Sequence, residues 1–116
     1  KVLFQLEIND RQIEEYSHPL TKQLIEGVKE NKAVLDQLID KYLINWTLER
    51  LSLVDKTILR MSLYEMIYIE DIPYAVSINE ALELAHMYSD EDASKFINGI
   101  LSKIIKEGDI DERKHN

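Results

Sequence analysis

The segment "DKTILRMSLYEMI", residues 55–67, carries apolar side chains on nearly every side of a helix. A helix that is hydrophobic almost all round is usually buried, because none of its faces is suited to water. Asp55 is expected to cap the first turn, and the helix is expected to run to about Glu70. The sequence "EDIP" at residues 70–73 ends it, since Pro73 lacks a backbone N–H and disfavours helix at the preceding residue. We therefore predict a buried central helix around which the rest of the chain packs.

Amphipathic patterns before this segment predict two more helices and a short helical piece. Pro19 suits the first turn of one helix, and Asn31 is placed to cap the next, which ends near Tyr42. A short helical segment is expected around Trp46, ending near Leu53. The predicted buried stripe of the second helix is Val34, Leu35, Leu38, Ile39 and Tyr42. With three glycines, two prolines and little β-branched alternation, the chain is predicted to be all-α.

Two helix-start signals follow Pro73. Ser77 and Glu80 match the S-x-x-E capping box, and Ser89 is expected to begin the last helix. Gly99 lies inside that helix, where we expect it to permit close approach of a neighbouring helix, and Gly108 is placed to end it. The buried stripe predicted for this helix consists of Ala93, Phe96, Ile97, Ile100, Leu101 and Ile104.

Composition favours one small domain without a strongly basic surface. The 116 residues hold no cysteine, and no apolar run approaches the roughly 18 residues that span a membrane. A net charge of −8 argues against broad electrostatic binding of nucleic acid. We expect a soluble, cytoplasmic protein without a membrane partner, with one helical domain over residues 1–106 and a polar tail over residues 107–116. Lys1 opens directly into an apolar pattern, so we expect further residues before it.

The residues offer little for catalysis. Three histidines, His18, His86 and His115, lie in unrelated contexts, and no glycine-rich phosphate loop is present. The acidic triplet Asp90 to Asp92 lacks the spacing of a calcium loop. Carboxylates in a first helical turn interact favourably with the exposed amides by about 0.3–1 kcal/mol each, which explains the triplet without a function. We predict no enzymatic activity, no metal site, no cofactor and no small-molecule substrate.

Several motifs together resemble the transcription antitermination factor NusB family. The likeness covers residues 20–105 in order, and the pairing of the motif at 72–85 with the motif at 95–101 makes it specific. The motifs are "VLFQLE" at 2–7, Trp46, Arg50, "VDKTILRMSLYEM" at 54–66, "IPYAVSINEALELA" at 72–85 and "KFINGIL" at 95–101. The resemblance implies an all-α fold of two abutting three-helix bundles around the buried central helix.

The resemblance also implies a function and a set of contacts. Members of the family bind boxA RNA together with NusE, a ribosomal protein, and join the RNA polymerase antitermination complex that promotes ribosomal RNA transcription. Asp55 falls where the family meets NusE. Aromatic rings that stack on bases, a lysine for phosphate and a carboxylate for a base amino group suit such RNA contacts. The positions that match them are Phe4, Tyr42, Tyr88, Asp92, Lys95 and Phe96.

The sequence departs from the family pattern at two places, and two alternative functions remain. The arginine-rich start of the family is expected before Lys1, and residues 8–18 are shorter than the corresponding loop and second helix. One alternative is the RNA-recognition domain of a ribosomal RNA methyltransferase, although we expect no methyltransferase sequence after the polar tail. The other is a protein-only interaction module, which the acidic net charge favours. For Tyr88 and Phe96, a purely structural role is the alternative from composition alone.

Overall fold

Five α-helices and one 3₁₀ turn form the regular structure of residues 19–44 and 47–107, the parts of the chain that the computed structural model describes. Side chains are described from Gln23 onward. No strand occurs within these ranges, so the all-α prediction is confirmed. The elements are α1 (Pro19–Glu30), α2 (Lys32–Lys41), the 3₁₀ turn (Leu48–Arg50), α3 (Leu53–Tyr68), α4 (Tyr74–Tyr88) and α5 (Glu91–Lys106).

Helix α3 is the centre of the fold. Every residue from Thr57 to Met66 is buried, and α3 packs against each of the other four α-helices. Helices α3, α4 and α5 form one three-helix bundle, while α1 and α2 pack on each other and on α3. The motif at residues 2–7 lies outside the described residues. The prediction of a buried central helix is confirmed.

The cap predicted for α3 is wrong. Ser52 has an extended backbone, and its hydroxyl accepts a hydrogen bond from the Asp55 N–H at 3.1 Å. This geometry satisfies an amide of the first turn, so the helix begins at Leu53 and Asp55 is its third residue. At the other end, the helix stops at Tyr68, ahead of the predicted Glu70.

The capping box predicted at the start of α4 is also wrong. The helix begins at Tyr74, and the Pro73 carbonyl accepts from the N–H groups of Val76 and Ser77 at 3.0 and 3.3 Å. Ser77 is therefore already helical and buried, and its hydroxyl donates to Oε1 of Glu65 on α3 at 3.0 Å. The hydroxyl joins two helices of the bundle instead of capping one.

The acidic triplet begins α5, as predicted, although the cap lies one residue later than Ser89. Oδ1 of Asp90 accepts from the Ala93 N–H at 2.7 Å, and Glu91 and Asp92 lie in the first turn. Most of the predicted stripe is buried, but Phe96 is only half-buried. Gly108 lies outside the described residues.

Helix α2 departs from its prediction at two positions. Asn31 occupies the cap position, but its Nδ2 donates to the Gly27 carbonyl at 2.8 Å and so closes α1 instead of capping α2. Val34 is 52% exposed, whereas Leu35 and Ile39 are buried. The stripe is therefore narrower than the pattern suggested, because only one side of α2 faces α3. None of the described helices has the length and apolar character needed to cross a bilayer.

Candidate nucleic-acid interface

A groove lies between α5 and the segment that follows α2, and we call it the lysine groove. Its cavity volume is about 330 Å³, at the lower end of the range for ligand pockets. Lys95, Gly99 and Lys103 follow one face of α5 at intervals of four residues, which is close to one helical turn. The lining residues are Tyr42, Ile44, Lys95, Phe96, Gly99, Ile100 and Lys103.

The lysine groove combines cationic and aromatic groups. Its cationic groups are Lys95 and Lys103. Lys41 is not a lining residue, and its Nζ lies 5.5 Å from the centroid of the Tyr42 ring, within cation–π range. Tyr42 is 8% exposed, so it serves as a wall of the groove and offers little ring face for stacking. Phe96 is half-buried and shows more of its ring. Lysines bind the phosphates of a single nucleic-acid strand, and an accessible aromatic ring can stack on its bases. A groove that holds both groups therefore suits such a strand.

Gly99 does not permit the close helix packing that was predicted for it. The residue is exposed, and a Cβ built there would meet no other atom within 4 Å. The close approach occurs instead at buried Gly27, where a Cβ would overlap the Tyr64 ring. An interior helical glycine costs about 1 kcal/mol relative to alanine, so Gly99 lowers stability without a packing reason inside the described fold.

A second groove opens next to Phe96, and we call it the carboxylate groove. Its cavity volume is about 290 Å³. Oδ1 of Asp55 is buried there and has no hydrogen-bond partner in the described part of the chain. Such an acceptor favours a ligand or partner that brings a donor, because an unmet buried polar atom is costly. The lining residues are Arg50, Leu51, Ser52, Asp55, Asp90, Asp92, Ala93 and Phe96.

The two grooves gather most of the residues that the family resemblance indicates. Tyr42, Lys95 and Phe96 line the lysine groove. Asp55 and Asp92 line the carboxylate groove, and Phe96 belongs to both. The remaining two candidates do not join them: Tyr88 is 37% exposed at the end of α4 and lines neither groove, and Phe4 lies outside the described residues.

Sequence reasoning did not place nine of the lining residues in a site, among them Ile44, Arg50, Gly99 and Lys103. Gly99 and Lys103 follow Lys95 at intervals of four residues, which places all three on one helix face. Pattern analysis could therefore have found these two. Ile44 and Arg50 lie in the connection between α2 and α3, and no local pattern brings them to α5. Their positions follow from tertiary packing alone.

The acidic triplet shows no metal-binding geometry. Within residues 19–44 and 47–107, no group of three or more histidine, cysteine, aspartate or glutamate side chains is arranged to hold an ion. Asp90 is engaged as a helix cap. Nε2 of His86 lies 3.3 Å from the Ser94 hydroxyl, across the corner between α4 and α5. These contacts are structural in character.

Comparison with known proteins supports the family resemblance. The family model described as "NusB family" matches residues 1–106. The transcription antitermination protein NusB of Oceanobacillus iheyensis is 48% identical over 114 residues, which cover 90% of each protein. The protein of the same name from Bacillus subtilis is 45% identical over 113 residues, covering 90% of this chain and 86% of the relative.

Solved structures agree with the sequence comparison. T. maritima NusB superposes with a TM-score of 0.82 at 40% identity, covering 97% of this chain and 88% of that one. A chain in a structure described as "Crystal Structure of a Plectonemic RNA Supercoil" superposes with a TM-score of 0.78 at 27% identity, covering 91% and 87%. The fold is thus shared along nearly the whole of each chain.

Proposed function

The chain belongs to the NusB family of transcription antitermination proteins, and we propose that it works by binding single-stranded boxA RNA together with NusE. The lysine groove supports the RNA-binding part of this proposal, because half-buried Phe96 lines it together with Lys95 and Lys103. A base stacked on Phe96 would have phosphate-binding groups on one side. Its edge would face Asp92 on the other side, where a carboxylate accepts from a base amino group.

The carboxylate groove supports the partner part of the proposal. Asp55 holds a buried oxygen without a hydrogen-bond partner among the described residues, and it shares the groove with Asp90 and Asp92. A basic ribosomal protein such as NusE would supply the missing donor and would be attracted by the net charge of −8. Because Phe96 lines both grooves, bound NusE and bound RNA would lie side by side.

This arrangement accounts for a partner-dependent RNA affinity. The lysine groove offers few cations, and phosphate contacts supply most of the affinity for nucleic acid. The chain alone should therefore bind weakly, and a basic partner beside the groove would add the missing phosphate attraction. We infer that the resulting complex acts on RNA polymerase in the cytoplasm as a binding assembly, without a catalytic step.

The proposal is tested by fluorescence anisotropy of a labelled boxA-type RNA, titrated with the full chain in the presence and absence of NusE. We expect tighter binding with NusE and an affinity that falls as salt rises. A scrambled RNA of equal length is the control for non-specific attraction. Absence of RNA binding with NusE present would refute the proposal.

The acidic net charge favours one other candidate, a module that binds protein alone. Pull-down of NusE with and without RNA separates the two functions. A protein-only module retains NusE equally in both cases, whereas the proposed function requires RNA and NusE to strengthen each other's binding, since coupling between two ligands is reciprocal.

A further inference from the structure

Gly99 is a glycine without a structural reason among the described residues. It lies in the interior of α5, its side-chain position is open, and its backbone is helical. Gly27 is different, because a side chain there would overlap Tyr64. Glycine is also used where a ligand must approach the backbone closely. The open position of Gly99 inside a candidate binding groove fits that use.

The neighbours of Gly99 indicate the chemistry of such a ligand. Lys95 and Lys103 lie one turn before and one turn after Gly99, about 12 Å apart along the helix axis. Neither lysine has an ion-pair partner in the described ranges, and no acidic residue lines the lysine groove. Asp55, Asp90 and Asp92 line the carboxylate groove, which shares only Phe96 with the lysine groove. The groove therefore suits a ligand with two negative charges spaced along α5.

We propose that the sugar–phosphate backbone of the bound RNA crosses α5 directly over Gly99, and that Lys103 binds a phosphate beyond the one at Lys95. The inference rests on the proposed RNA-binding function and extends its site by one helical turn. A Cβ at residue 99 would project into the path of the strand. The half-buried Phe96 ring would stack on the base, while the backbone continues towards Lys103.

A protein helix is the other occupant that a helical glycine can admit. Small residues at helix crossings allow close backbone contact, but the partner helix then buries apolar side chains around them. Here two lysines flank the glycine, and burying them against a helix would require paired acidic groups. A basic partner such as NusE is not suited to supply these acidic groups, because its net charge is positive. Charge complementarity therefore favours RNA over protein at this position.

Two substitutions in the full chain test the inference, with RNA affinity measured by anisotropy in the presence of NusE. Gly99→Ala should weaken RNA binding by about fivefold or more, the effect of forcing a methyl group into a close contact. The same substitution should raise the thermal midpoint by about 3–6 °C, because alanine favours the helix. A more stable protein that binds RNA less well cannot be explained by damage to the fold.

Lys103→Gln should weaken RNA binding several-fold. It should also reduce the slope of log affinity against log salt by about 0.7, the value for one phosphate contact with a single strand. Two matched controls should keep wild-type affinity. Ser102→Ala makes a similar helix-favouring change on α5 outside the groove, and Lys32→Gln removes a lysine at the exposed start of α2.

The outcomes are distinguishable. In one outcome, the wild-type chain binds RNA, and Gly99→Ala and Lys103→Gln bind it with the same affinity as wild type. That result would overturn this inference and leave the proposed function standing. A loss of NusE binding by Gly99→Ala in the absence of RNA would assign the groove to the protein partner and would also overturn it. Failure of the wild-type chain to bind RNA would remove the proposed function and the inference together.

Discussion

Arg60 of α3 holds Asp36 of α2 through two hydrogen bonds, from Nε to Oδ1 at 2.7 Å and from Nη2 to Oδ2 at 3.0 Å. The two side chains are 9% and 23% exposed, so the pair lies at the edge of the core. It attaches α2 to the central helix. Because Tyr42 follows directly after α2, the same attachment fixes the wall of the lysine groove.

Asp36→Ala should reduce the free energy of unfolding by about 2–3 kcal/mol, because it leaves the Arg60 charge largely buried without its partner. Urea unfolding at neutral pH measures the loss. Asp40→Ala removes an exposed carboxylate from the same helix and should change stability by less than about 0.5 kcal/mol. Equal stability of the two variants would show that the ion pair does not hold α2 in place.

Gly27→Ala should lower the free energy of unfolding by about 1–2 kcal/mol, since the added methyl group would overlap the buried Tyr64 ring. The Tyr64 ring cannot move freely, because its centroid lies 5.0 Å from that of Tyr68. Thermal unfolding provides the measurement, and Gly99→Ala is the matched control with the same chemical change. A rise in the midpoint for both variants would contradict the close approach of α1 to α3.

Asp90→Ala should destabilise the protein by about 1 kcal/mol, the usual cost of losing an N-cap side chain. Asp90→Asn keeps an oxygen that can accept from the Ala93 N–H, so it should retain most of the stability. Ser89→Ala is the control, because the sequence pattern predicted the start of the helix there. Denaturant midpoints that fall for Ser89→Ala and not for Asp90→Ala would restore the original prediction.

Ser77→Ala should cost about 1–2 kcal/mol, because Glu65 loses a hydrogen-bond donor in a buried environment. Glu80→Ala should have little effect, since Glu80 is exposed and the cap position of α4 is Pro73. A capping box would require both substitutions to destabilise. Chemical denaturation of the two variants therefore decides between the buried Ser77 contact and a cap.

The central helix was predictable because its cause is local. The apolar side chains of residues 58–67 lie on all sides, and only burial accommodates such a helix. The helix starts were less predictable, because several residues compete to satisfy the first amides. Ser52 is the N-cap residue of α3 and Pro73 is that of α4. Asp55 and Ser77, which were predicted as N-caps, lie inside the first turn of these helices.

The candidate site was predictable only through the family resemblance. Pattern analysis assigned Phe96 to the core, and the half-buried ring shows why the assignment was natural: the residue lies at the margin of the buried stripe. Nothing local in the sequence brings Tyr42 or Ile44 to α5, since that contact depends on how α2 packs against α3. Gly99 was misassigned because a glycine in a helical pattern does not reveal whether another helix packs against it; its side-chain position is open.

We propose that Phe96 makes a base-stacking contact with RNA, and Phe96→Leu isolates this contact because leucine keeps apolar packing but lacks a flat ring. RNA affinity in the presence of NusE and the thermal midpoint are measured on the same preparation. We expect binding to weaken by about 5- to 150-fold, the equivalent of about 1–3 kcal/mol of stacking, while the midpoint changes by only a few degrees. A fallen midpoint with unchanged RNA affinity in the folded protein would contradict the stacking contact and would assign Phe96 to the core.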